Sequence, residues 1–392
     1  MSDSLVLLLV LAGFYLHDCS LWLERDTVAF VATGFRQWRP VRPHPLLSGA
    51  AKGLLPSFRL PPMTPVYLSY PWRIAVSPTH VCPVSPTAVP PAAPSYAYDA
   101  IRAVAATDGT VTINGAPFVK CQEPFLATMT ADFLRRLVPL SPKRRQGALA
   151  KAIADALDPG QVETAIRSLA RDGFLLRVYC NVLFVYLFLG LPVAVAILNL
   201  VVTWPYLLAL LVALAAVIAV EFHRLHAARW PTDRTGRRSV LIRLCVFPPL
   251  AMRAYDLLAH RMAAHFHPIA LALVLADSGI ADQVVRQTLR HLHYPLAMTE
   301  ADPVGDATQV WFREAEESAI RALLIGRCLQ PDDYLAPPPK TDDQSLTYCP
   351  RCETAYAVPT GLCHDCPGVM LESYPPSSTA PSATALNPQV TP

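Results

Sequence analysis

The residues best placed to do chemistry lie in the stretch TYCPRCETAYAVPTGLCHDCPGVML, 347–371. Two residues separate Cys349 from Cys352, Cys363 and Cys366 are spaced likewise, and ten residues separate the pairs. Each pair can present two sulfurs from one turn, and together they supply the four thiolates that a tetrahedral Zn2+ takes. Protein would then fill every coordination position, so the site suits structure rather than hydrolysis. Two disulfides or free thiols are the other uses of such pairs, and iron is the other metal. Cys19, Cys82, Cys121, Cys180, Cys245 and Cys328 stand alone and read as small buried hydrophobes.

Histidines form a second candidate set. His223 and His226 lie beside Glu221, and His260, His265, His267, His291 and His293 follow. A metal or an acid–base pair built from them would serve an enzyme acting on a lipid-linked substrate at a membrane surface. No zincin-like helix motif or carboxylate–histidine repeat supports this, so surface or helix-end histidines are the favoured reading. Residues 98–177 hold no nucleophile elbow, phosphate loop or paired-carboxylate signature. A net charge of +3 is too small to argue for nucleic acid as a partner, since strong phosphate binding needs a dense basic face.

Over residues 347–371 alone the chain resembles the zinc-ribbon family. The cysteine pairs carry the resemblance, with Tyr348, Pro350 and Gly368 as residue types suited to the turns. It departs where ribbons often place glycine after the first pair, here Glu353, and in its short inter-pair spacing. The resemblance implies Zn2+ held by Cys349, Cys352, Cys363 and Cys366. Within the module Arg351 is the one permanent cation, set against Glu353, Asp365 and Glu372, which argues against nucleic acid as a partner.

Composition defines what must position these groups. Of 392 residues 53% are hydrophobic and only 16% charged, against roughly 25% charged in an average soluble domain. Residues 178–222 carry no charge before Glu221, a run long enough for two spans of about 20 residues. Asn199, Thr203, Trp204 and Pro205 mark the break, giving helices over 180–199 and 204–222. Gly190 and Ala194 on the first, with Ala209, Ala213 and Ala216 on the second, recur three or four apart and predict a small-residue packing stripe, although alanine is common throughout. Pro192 predicts a kink. Arg167, Arg171 and Arg177 precede the hairpin, and Arg224, Arg229, Arg234, Arg237 and Arg238 follow it, so both flanks are expected in the cytoplasm, where disulfides are disfavoured. The apolar stretch within 1–23 is either a third span or an interfacial or buried helix; its core, residues 5–16, is short for a span.

The rest divides by texture. Residues 24–97 are proline-rich and read as extended chain, with Tyr67, Tyr70 and Trp72 anchoring it to a core or a partner. Residues 98–177 read as a small α+β unit: strands around Asp108-Gly109 and Asn114-Gly115, then helices near 124–138, 143–157 and 160–172. Lys143, Arg144 and Arg145 read as a solvated helix start or a headgroup-binding run. Residues 223–330 predict a cytoplasmic helical region broken at Pro248-Pro249, Pro268 and Ser278-Gly279. Its last helix is expected to open at the capping pair Asp306 and Gln309 and to pack through Trp311, Ala315, Ala319, Ala322 and Gly326. A linker (331–346), the ribbon (347–374) and a disordered tail (375–392) complete the chain.

The expected fold is thus an α-helical membrane protein, a two-helix hairpin with a candidate N-terminal span, carrying a small cytoplasmic α+β unit and a C-terminal zinc ribbon. The expected role is a membrane-anchored adaptor or assembly component, and an integral-membrane enzyme on a lipid or lipid-linked substrate is the alternative. The expected partners are membrane lipids and other membrane or cytoplasmic proteins, and the expected site is a bacterial inner membrane with large parts cytoplasmic.

Overall fold

The computed structural model describes residues 5–7, 9–10, 29–33, 37–41, 65–67, 74–83, 94–121, 124–197, 200–275, 278–296, 303–340 and 342–375. Most of the candidate N-terminal span, Tyr70, Trp72 and the tail beyond 375 lie outside them. The described chain is mostly helical with small antiparallel sheets. It forms two compact units, Met1–Val284 with Asp302–Ala319, and Val285–Ala301 with Ile320–Pro392.

In the first unit the proline-rich region builds two three-stranded sheets rather than only extended chain. One has β1 (Ala29–Thr33) between β2 (Gln37–Val41) and β3 (Pro65–Tyr67), and the other has β5 (His80–Pro83) between β4 (Ile74–Val76) and β6 (Tyr96–Ala97). Proline removes a ladder donor and is therefore tolerated at sheet edges and strand ends. Pro40 and Pro65 sit on edge strands, and Pro83 ends the central strand β5. A third sheet is the meander β7 (Val104–Thr107), β8 (Thr110–Ile113) and β9 (Ala116–Lys120). Its turns are Asp108-Gly109, with φ 49 and 80, and Asn114-Gly115, with φ 53 and 83. Both residues of each turn are left-handed, which is the demand of a two-residue hairpin and the reason Asn/Asp-Gly occurs there.

Three helices follow, α1 (Pro124–Leu137), α2 (Pro142–Ala156) and α3 (Pro159–Asp172). Each opens on proline, whose missing N–H is unpaired in a first turn anyway. Arg145 corrects the solvated reading of its basic run, because it is buried. Its guanidinium donates to the carbonyls of Leu137 (3.1 Å), Leu140 (2.5 Å) and Pro78, and stacks 3.7 Å from the Tyr98 ring centroid. A helix end leaves carbonyls without partners, and the planar five-donor fork of arginine can satisfy several at once.

Two helical stretches, Phe174–Val195 and Trp204–Arg229, are long and apolar enough to cross a membrane. The first comprises α4 (Phe174–Val185), a π turn over Tyr186–Gly190, and α5 (Leu191–Ile197). In the π turn the Leu191 N–H bonds back to the Tyr186 carbonyl. The irregularity falls beside Pro192, which has no N–H to continue the regular ladder. The second is α6 (Leu200–Arg229), with Pro205 inside it rather than at its start. In the second turn proline costs only one bond near the helix end. The helix also outruns residue 222, because beyond it Leu225 and His226 are buried, and Arg229 reaches Asp172 at 2.8 Å. The small-residue stripe is not the packed face. Gly190, Ala209, Ala213 and Ala216 are exposed and Ala194 is half-buried, whereas Leu183, Leu187, Leu191, Ala215, Ile218 and Phe222 are buried. Leu189, Tyr206 and Val220 are 62, 75 and 69% exposed.

Beyond the hairpin come α7 (Arg234–Val246), a 3-10 turn Pro248–Arg253, α8 (Ala254–Ala263), α9 (Pro268–Leu275), α10 (Ser278–His293) and α11 (Pro303–Gly326). The breaks match the sequence reading, but α11 opens on Pro303, which leaves Asp306 in its first turn rather than at its cap. Its buried face also differs. Thr308, Phe312 and Glu316 are buried, while Trp311, Ala315 and Ala319 are half-buried. Glu316 is held in the interior by His267 at 2.9 Å, a partner that no pattern of apolar residues discloses.

Candidate metal centre

The second unit carries the cysteines on a minimal sheet. β10 (Thr347–Tyr348) pairs with β11 (Ala355–Tyr356) on one side and β12 (Glu372–Ser373) on the other. Cys349 and Cys352 lie in the turn from β10 to β11. That turn is closed by Glu353 N–H to Cys349 O and Cys349 N–H to Thr354 O, both 2.9 Å. The Cys352 N–H points at Cys349 Sγ, 3.5 Å away. The second pair sits in a matching loop, where Cys363 N–H bonds to Val369 O (2.9 Å), Val369 N–H bonds to Cys366 O (3.1 Å), and Gly368 takes φ 79.

These turns bring Cys349, Cys352, Cys363 and Cys366 together, with all four Sγ atoms within 4.8 Å of one another. Cys352 Sγ and Cys363 Sγ are 3.6 Å apart. A tetrahedral metal with bonds of about 2.3 Å to sulfur sets its ligands roughly 3.8 Å apart, so the four cysteines fit such an ion. A thiolate-only donor set selects soft or borderline metals over magnesium or calcium. Three of the four cysteines are buried and Cys352 is half-buried.

Hydrogen bonds tune the sulfurs. Burial pushes the Cys349 thiol up to about 11 and raises Cys366 as well. Burial would raise Cys363 too, but hydrogen bonds from the Tyr356 hydroxyl (3.2 Å) and the neighbouring thiols bring it down to about 7. One sulfur of the set is thus prepared to ionise near neutrality, and a bound cation would favour ionising Cys349 and Cys366 against their burial.

Arginines fasten this module to α10. Arg286 Nε lies 2.5 Å and Arg290 Nε 3.0 Å from Glu353 Oε1. Arg290, with a side chain 1% exposed, also donates to Pro350 O at 2.5 Å and to Ala336 O. Glu353 occupies the position where ribbons often carry glycine, and its φ of 64 is the conformation glycine would supply. Arg351, the module's own cation, donates to His291 O (2.9 Å) and Tyr294 O (2.5 Å), capping the C-terminal end of α10. Burial, followed by Arg351, holds His291 down to about 4. Sequence reasoning missed Arg286, Arg290 and Tyr356. The available signal was two arginines four apart on a helix that must meet an acidic module.

Among the described residues the histidines form no metal-binding group, although His226 and His265 flank the same Trp230 and Arg261. His267 N-caps α9, Nδ1 accepting the Ile269 N–H at 3.1 Å, while Nε2 meets Glu316. His226 is buried with Nε2 2.9 Å from an Arg261 nitrogen, and Arg261 also donates to Asp233. His265 Nε2 accepts the Trp230 indole N–H at 3.3 Å, and burial with Arg261 and Arg136 holds this histidine down to about 4. His223 is exposed, and the side chain of His260 lies outside the described residues. Among the described residues the cysteine quartet is the one group of three or more His, Cys, Asp or Glu close enough to hold a metal ion.

No protein-family model, no curated protein and no solved structure matches the chain.

Proposed function

We propose that the chain is a membrane-anchored adaptor or assembly component, held by a helical hairpin and carrying a Zn2+-filled ribbon-like module as its structural or docking part. The observation that carries this reading is the closed cysteine quartet: four sulfurs consume a tetrahedral ion's coordination, leaving none for a substrate. Zn2+ would supply cross-linking of two loops that have little core of their own. Cys349, Cys352, Cys363 and Cys366 hold it, the Cys352 N–H and Tyr356 hydroxyl orient and stabilise the sulfurs, and Arg290 and Glu353 fix the first turn.

The exposed apolar side chains of Phe174–Val195 and Trp204–Arg229 support the anchoring, since the hydrophobic effect opposes leaving such helices in water. Arginines at both ends of the hairpin support a cytoplasmic location for both flanks. The adaptor is favoured over the competing enzyme reading because three of that reading's histidines, His226, His265 and His267, are engaged with Arg261, Trp230 and Glu316.

The test is a gentle-detergent pull-down with the full chain and with Cys349→Ser. Partners retained by the wild type and lost with the variant support an adaptor whose module docks. Loss of a lipid-directed activity on replacing exposed His223, with partners unchanged, refutes it in favour of an enzyme. A reporter fused after Pro392 that is active only outside the cytoplasm overturns the orientation.

A further inference from the structure

The chain turns back at 230–233 directly after the second apolar helix, and α7 packs against that helix. The turn is rigid: Asp233 accepts the Gly236 N–H at 3.0 Å and receives Arg261 on the same carboxylate. Along α7 the two halves differ in character. The first half carries Arg234, Arg237 and Arg238, and the second exposes Ile242, Cys245 and Val246, the last 77% exposed, with Arg243 as its one exposed cation. None of Arg234, Arg237, Arg238 or Arg243 is in an ion pair with a described residue. Arginines without an ion pair to a described residue and bare aliphatic side chains on one short helix are a poor match to water alone.

The position of the helix end indicates what covers it. The 3-10 turn Pro248–Arg253, which continues from α7, packs against both apolar helices. Its Ala251 carbonyl accepts from Cys180 Sγ at 3.4 Å. Cys180 lies three residues beyond Arg177, where the first apolar helix loses its last charge, and the second passes from Val220 to Glu221 at its corresponding end. The exposed end of α7 therefore falls at the boundary between polar and apolar surface on the hairpin.

We propose that α7 is an interfacial membrane-binding helix: its arginines bind anionic phospholipid headgroups, and Ile242 and Val246 enter the acyl boundary. This rests on the hairpin spanning the membrane and adds a lipid preference to it. Clustered arginines beside a span are attracted to anionic leaflets, and an aliphatic face beneath them buries where headgroup meets chain.

The experiment uses the full chain with Cys19, Cys245 and Cys328 replaced by serine, reconstituted in phosphatidylcholine nanodiscs with and without phosphatidylglycerol. Single spin labels are placed at V246C, at L208C in the second apolar helix, and at E314C as an aqueous reference, and their exposure to oxygen and to a nickel chelate is compared. The expected oxygen-to-nickel ratio at 246 is severalfold above that at 314, and it rises with phosphatidylglycerol. R234Q/R237Q/R238Q is expected to abolish that rise. An aqueous ratio at 246 with a lipid-like ratio at 208 overturns the inference and leaves the hairpin intact. Aqueous ratios at both overturn the spanning reading and the inference with it. A lipid-like ratio at 246 indifferent to phosphatidylglycerol, or to the arginine substitutions, overturns the headgroup assignment.

Discussion

Replacing Arg290 by methionine removes the charge that joins α10 to the first cysteine turn while keeping much of the side chain's apolar length. Three contacts go at once: Pro350 O, Ala336 O and Glu353 Oε1. Breaking one side of a fully buried pair costs about 3–5 kcal/mol. Glu353 is 30% exposed and keeps Arg286 at 2.5 Å, so solvent screening and the surviving partner reduce the loss to about 2 kcal/mol. Where metal binding and folding of a small cysteine module are one process, that loss appears in the metal affinity. Competition with a chelator at fixed pH should therefore show Zn2+ held roughly thirtyfold more weakly by Arg290→Met, and only slightly more weakly by Arg286→Met. A companion pair isolates the backbone. Glu353→Ala and Glu353→Gly both lose the carboxylate, but only glycine is at ease at φ 64, so Glu353→Gly should bind about fivefold more tightly than Glu353→Ala, or about 1 kcal/mol. Wild-type affinity in Arg290→Met would refute the coupling of this arginine to the metal turn.

Tyr356→Phe deletes the hydroxyl 3.2 Å from Cys363 Sγ and should weaken metal binding about tenfold, with slower alkylation of Cys363 in the metal-free chain as the second readout. Arg145→Met strands the Leu137 carbonyl in the interior and the half-buried carbonyls of Leu140 and Pro78 and should destabilise the first unit by about 3 kcal/mol, whereas Arg144→Met, an exposed neighbour, should change its protease resistance little. His265 is held neutral by burial, down to about 4 against an ordinary value of 6.5. The unfolded chain then binds the extra proton, so stability is fully present above about 6.5 and is lost as pH falls from there toward about 4. His265→Asn should flatten that acid limb in hydrogen exchange of the first unit.

Much of the fold was legible because its determinants are local. The two-residue hairpins follow from Asp108-Gly109 and Asn114-Gly115, since left-handed backbone at both positions is a property of those residues. Helices α1 to α3 follow from apolar periodicity between proline-bearing breaks. The small sheets of the proline-rich region were hidden, because each proline argues against a strand until its place on an edge is known. The alanine stripe and the Trp311 face failed because amphipathic spacing shows that a face is packed without showing which.

The chain's amino-acid order by itself determined the two long apolar helices and the paired cysteines. Transfer free energy sums residue by residue, and a pair of thiols with two residues between them shares a turn in any context. Tertiary structure alone decided which charges go inside. Arg145 meets Pro78 across 67 residues, Arg290 meets Pro350 across 60, and His267 meets Glu316 across 49. A buried charge is tolerated only when its partners arrive with it, and partners so distant in sequence leave no local pattern.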